Sequence, residues 1–134
     1  MSRFALVLVA VVAVFGAMSA PSAHALSPLL SFGEFGLGPG QFDHPLGVSV
    51  ADDGNVWVVD ALNDRVQEWT AAAGFVRAFG STGTGRGQFR LPEDVEARGG
   101  YVYVSDCYGQ RVQRFAAGSR APAGEFTGGA PRRK

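Results

Sequence analysis

The chain has 134 residues, with 12 Lys plus Arg against 12 Asp plus Glu, one cysteine and two histidines. So even a balance gives no electrostatic drive towards nucleic acid or anionic lipid. A single cysteine rules out a disulfide framework within one molecule. With only His44 lying beyond residue 25, one molecule cannot assemble a three-histidine zinc site.

At the N-terminus Arg3 precedes an apolar run from Phe4 to Met18, and a small-residue stretch ends at Ala23-His24-Ala25. This is the pattern of a secretory leader cleaved after Ala25. The run is short of the roughly 20 residues a bilayer span needs, so stable membrane insertion is not expected. The remaining chain is therefore expected outside the cytoplasm, as a secreted or extracytoplasmic protein. Loss of Arg3 leaves it 11 basic against 12 acidic residues.

Beyond the leader no stretch has the 3.6-residue periodicity of a helix, and short valine- and aromatic-rich runs alternate with glycine and proline. The first expected strand is Leu29 to Phe32. Four more follow, at Gly47 to Ala51, Asn55 to Val59, Arg65 to Trp69 and Phe75 to Phe79. A second set runs over Asp94 to Ala97, Tyr101 to Ser105, Arg111 to Phe115 and, more weakly, Glu125 to Thr127. Asp52-Asp53-Gly54-Asn55 and Arg98-Gly99-Gly100 supply the glycine hairpin turns between the first and second strands of each set. Oxygen ligands in series at Asp52-Asp53-Gly54-Asn55 lack the distal glutamate of a calcium loop, so no metal is expected there. The basic end Arg132-Arg133-Lys134 is read as a solvated tail.

The two sets are copies. Gly38-Pro39-Gly40-Gln41-Phe42-Asp43-His44-Pro45 returns 47 residues later as Gly85-Arg86-Gly87-Gln88-Phe89-Arg90-Leu91-Pro92. Val56 to Asp60 and Arg65 to Trp69 return 46 residues later, and from Phe32 to Trp69 the copies share 16 identities. Such a period belongs to arrays whose units bury their faces on one another. Apolar residues on both faces of the second strand, Val56 and Val58 against Trp57 and Val59, imply sheets stacked on both sides. A four-residue loop sets Asp60 opposite Arg65, and Asp106 opposite Arg111, as structural ion pairs. Leu29 to Phe32 aligns with the last strand of a copy. The expected organisation is thus a leader over 1–25, a partial-blade strand over 26–33, one repeat over 34–80, a second over 81–127 and a tail over 128–134.

The series Gly-x-Gly-Gln-Phe-x-x-Pro, valine-aromatic-valine-x-Asp and, four residues on, Arg-Val-Gln closely resembles the NHL repeat. The resemblance covers about Phe32 to Phe115 and implies an all-β fold: a partial β-propeller of NHL type with two four-stranded antiparallel blades plus one extra N-terminal strand. The family usually closes with six blades, which at this period take about 280 residues. Three arrangements stay open: a fragment of a longer product, a ring shared by several chains such as a trimer, or a short open stack.

The chemistry is sparse. NHL-related amidating lyases use histidine-bound metal, and no matching set exists here, so no catalytic residue, metal or cofactor is expected. Cys107 lacks an internal partner and is expected to be buried and inert, the alternative being an intermolecular disulfide. Loops between blades and between second and third strands form one rim, carrying Asp43, His44, Asn63, Asp64, Arg86, Arg90, Tyr108 and Gln110. Their mixed polar and aromatic character suits a protein, peptide or glycan rather than nucleic acid. The favoured function is a non-enzymatic binding or scaffold module. The alternative is a relative or fragment of a propeller lyase or hydrolase whose catalytic residues lie on other blades.

Overall fold

A computed structural model describes residues 28–118 together with the backbone of residues 122–126. The leader over 1–25 and the basic tail over 128–134 lie outside the described residues. Among those described, no helix is long and apolar enough to cross a membrane.

Two short strands open the structure, β1 (Glu34–Phe35) and β2 (Gln41–Phe42), paired in parallel. The first blade follows, with β3 (Pro45–Val50), β4 (Val56–Asp60), β5 (Arg65–Trp69) and β6 (Phe75–Phe79) in that spatial order and antiparallel throughout. The second blade repeats it with β7 (Pro92–Arg98), β8 (Tyr101–Asp106), β9 (Arg111–Ala116) and β10 (Pro122–Phe126). The parallel β1–β2 pairing also has its copy, a single bridge between Thr82 and Phe89. Gly54 at φ 86 and Gly100 at φ 78 turn the hairpins in the left-handed region where a side chain is costly.

The sequence places the first seven blade strands within two residues of their observed ends, while β10 begins at Pro122, three residues before the expected Glu125. Leu29 to Phe32 differs, for residues 30–33 carry no strand. A strand needs a neighbour to take up its N–H and C=O groups. The equivalent strand β6 pairs with β5, whereas no described strand lies beside residues 29–32. Only the packing persists: Phe32 rests on Trp69 with centroids 4.6 Å apart, as Phe79 rests on Phe115 at 4.6 Å.

Each blade has a front face, with Val48 and Val58 in the first and Val95 and Val104 in the second, and a rear face reached by the alternate residues. The main core is the seam between the rear of blade 1 and the front of blade 2. Trp57, Val59, Ala61 and Val66 pack there against Phe89, Val95, Ala97, Val102, Val104 and Phe115. A smaller cluster of Phe42, Val58 and Trp69 lies on the front of blade 1. Polar contacts reinforce the seam: Ala97 N–H donates to Ser49 Oγ at 3.0 Å and Gly99 N–H to Asp52 Oδ2 at 3.1 Å.

Candidate functional site

The rim is built around a polar clasp in each blade. The register sets Asp60 directly opposite Arg65. The buried Asp60 carboxylate accepts from Arg65 Nε at 2.6 Å, Gln67 Nε2 at 3.0 Å, Asn63 Nδ2 at 2.9 Å and the Asp43 N–H at 2.7 Å. Arg65 then donates to the carbonyls of Leu37, Gly38 and Gln41. One guanidinium thus holds the whole Gly-x-Gly-Gln loop to the strand pair. Blade 2 repeats it, with Asp106 bound to Arg111 at 3.0 Å and to the Arg90 N–H at 2.7 Å, and Arg111 holding Thr84, Gly85 and Gln88. The motif that recurs in the sequence is therefore a loop anchor.

This wiring sorts the eight rim residues. The Asn63 amide is engaged inside the blade by Asp60 and the Gly36 carbonyl. Asp64 reaches across the seam, its carboxylate accepting from the Leu91 N–H and the Thr82 hydroxyl, each at 2.7 Å. Asp64, Arg90 and Tyr108 come together in a cleft of ≈ 250 Å3 over the seam, floored by Ala61 and Leu91 and flanked by Leu62. Among the described residues the Arg90 guanidinium makes no hydrogen bond or ion pair. Asp43 and His44, 2.7 Å apart, border a separate cleft of ≈ 450 Å3 at the front of blade 1. Arg86 and Gln110 are exposed on loops away from both.

The sequence reading missed Leu62, Thr82 and Leu91. A signal existed for the first, because Leu62 and Tyr108 occupy the same place in the four-residue loops and both are exposed. Thr82 and Leu91 had none, since their part depends on the blade across the seam.

Cys107 is exposed, which corrects the expected burial. Its equivalent, Ala61, is covered by blade 2, but no described sheet stands behind blade 2. A hydrogen bond to Glu93 raises its thiol pKa, aided by the negative charges of Glu93 and Asp106. The thiolate, the reactive form, is thus scarce at neutral pH. Glu93→Gln is expected to speed alkylation of Cys107 at pH 7 several-fold and to move the midpoint of its pH–rate curve down. An unchanged profile would mean that Glu93 does not control the thiol. Among the described residues no three His, Cys, Asp or Glu side chains are grouped to hold a metal ion.

No protein-family model matches the chain. Among curated proteins, NHL repeat-containing protein 3 of Homo sapiens is 34% identical over 83 residues, covering 59% of this chain and 24% of that protein. The Mus musculus counterpart is 34% identical over 84 residues, covering 60% and 24%. Protein brain tumor of Drosophila melanogaster is 32% identical over 99 residues, covering 64% and 10%. The chain thus spans about a quarter or less of the length of these relatives. A solved structure, catalytically inactive virginiamycin B lyase from Staphylococcus aureus with quinupristin, aligns at a TM-score of 0.49 and 16% identity, covering 66% of this chain and 27% of that one.

Proposed function

This chain belongs to the NHL-repeat β-propeller family, and on that premise we propose that it is an exported, non-enzymatic binding module whose contact surface is the rim over the seam. The observation that carries the reading is the seam cleft. Asp64 and the clasps hold its loops rigid, so ordering them costs little on binding. Tyr108 and Leu62 offer exposed apolar surface, and Arg90 adds a cation with no partner among the described residues. An aromatic and an arginine beside apolar floor residues are the types that dominate binding energy at protein interfaces. A protein or peptide ligand fits this mixture, and a glycan would use the same tyrosine as a stacking surface. Export is supported by Arg3 and the apolar run from Phe4 to Met18.

The test is an array of peptides and glycans probed with the chain and with Arg90→Ala and Tyr108→Ala. Both side chains are exposed and outside the clasps, so the variants should fold. Binders of the unaltered chain are expected to weaken about tenfold with each variant, equivalent to about 1.4 kcal/mol. Binding that ignores both substitutions, or turnover of an arrayed compound, would overturn the reading.

A further inference from the structure

The two blades present the same front surface, yet among the described residues only one of them is covered. Val95 and Ala97 of blade 2 are 3% and 4% exposed beneath the rear of blade 1, while their equivalents Val48 and Val50 are each 63% exposed. At the other end no described sheet covers the rear of blade 2: Val112 is 38% exposed where its equivalent Val66 is fully buried. We propose that the front face of blade 1 is a docking surface for the rear face of blade 2 of a second copy of this chain, so that copies join head to tail and the internal seam recurs between molecules. The proposal rests on the propeller reading but not on the rim cleft.

The internal seam already solves this docking problem. On the front side Phe42, Pro45, Val48 and Val58 match Phe89, Pro92, Val95 and Val104 identically, so the open face is suited to the same kind of cover. On the rear side Val66 is matched by Val112, and Trp57 by the aromatic Tyr103. Val59 becomes Ser105, which makes the second rear face less apolar and tolerable in water before assembly.

The latch across the seam points the same way. Asp64 meets two donors, the Leu91 N–H and the Thr82 hydroxyl. On the open front face the equivalents are the His44 N–H and Phe35, which has no donor to offer. The latch residue at the rear of blade 2 is Gln110, whose neutral amide offers one acceptor where Asp64 offers two. Its backbone is already in place, at φ 52 against φ 49 for Asp64, and His44 at φ 55 matches Leu91 at φ 54. The His44 N–H makes no hydrogen bond among the described residues, and the Gln110 oxygen of a second copy would accept it.

Head-to-tail contacts close into a ring when the rotation allows. Light scattering of the chain at micromolar concentration is expected to give a mass of more than one copy. Val48 is 63% exposed in the single molecule, so Val48→Glu should return the mass to one copy with the circular dichroism spectrum unchanged. A second measurement does not depend on that variant. In the seam the Asp64 and Thr82 side chains touch, so in a Cys107→Ser background Phe35→Cys in one copy should form a disulfide with Gln110→Cys in another. Mixing the two single variants is expected to give covalent dimers on oxidation, and each alone none. A one-copy mass for the unaltered chain would assign the face to another occupant, such as a further blade, and overturn the proposal. So would Phe35→Cys joining itself, or a mass indifferent to Val48→Glu.

Discussion

Asp60→Ala is expected to cost about 3–5 kcal/mol of folding stability, because it strands a largely buried cation and a buried amide around one lost carboxylate. Asp60 is fully buried and the Arg65 side chain is 15% exposed, so solvent screens the pair only weakly. Four donors converge on its two oxygens. Without them Arg65 keeps its three carbonyls but faces no anion, and the Gln67 amide nitrogen keeps only the carbonyl of Gln41 as an acceptor. The Gly-x-Gly-Gln loop would lose the anchor that joins it to β4. With an unfolding slope of about 2 kcal/mol per molar urea, the midpoint should fall by about 2 M. Tryptophan fluorescence reports it, since Trp57 and Trp69 lie on the two faces of blade 1. A shift below about 0.5 M would show that the clasp is peripheral to stability.

Phe89→Ala should cost a similar amount, about 3–5 kcal/mol, through a different term. Phe89 is fully buried in the seam, 5.9 Å from the Phe115 ring and 6.3 Å from Phe79. Its neighbours belong to both blades, so neither sheet can close the cavity without moving the other. Gly80 lies close beneath the ring, where a side chain would meet Phe89 at 2.7 Å. That close fit leaves little slack for relaxation, which places the loss towards the upper end of the range. The expected readout is a urea midpoint lowered as far as in Asp60→Ala, with reduced near-ultraviolet circular dichroism from a loosened aromatic cluster. Loss of less than about 1 kcal/mol would mean that the blades are held together by polar contacts such as the Asp64 latch instead of by packing.

Both results bear on what a doubled motif means. The recurring Gly-x-Gly-Gln-Phe series suggests function by its density of unusual residues, but the structure assigns each member an internal partner. Gln41 and Gln88 each accept from a glycine N–H three residues back, at 2.9 Å in both copies. Phe42 and Phe89 anchor the loop into the front of their blade. What differs between copies, such as Leu62 against Tyr108 or Asp43 against Arg90, is what reaches solvent beside the two clefts.

The sequence by itself determined the repeat, the strands of both blades, their turns and the Asp60–Arg65 and Asp106–Arg111 pairs. These are hairpin properties, fixed between residues a few positions apart by side-chain alternation and turn chemistry, and a single chain suffices to read them. Only the tertiary structure decided that Leu29 to Phe32 is not a strand, that Cys107 is exposed, that Asp64 crosses the seam and that Val48 is bare where Val95 is covered. Each of these depends on whether another sheet stands beside the residue. Identical sequence positions then meet different surroundings, because burial belongs to the neighbour as much as to the residue.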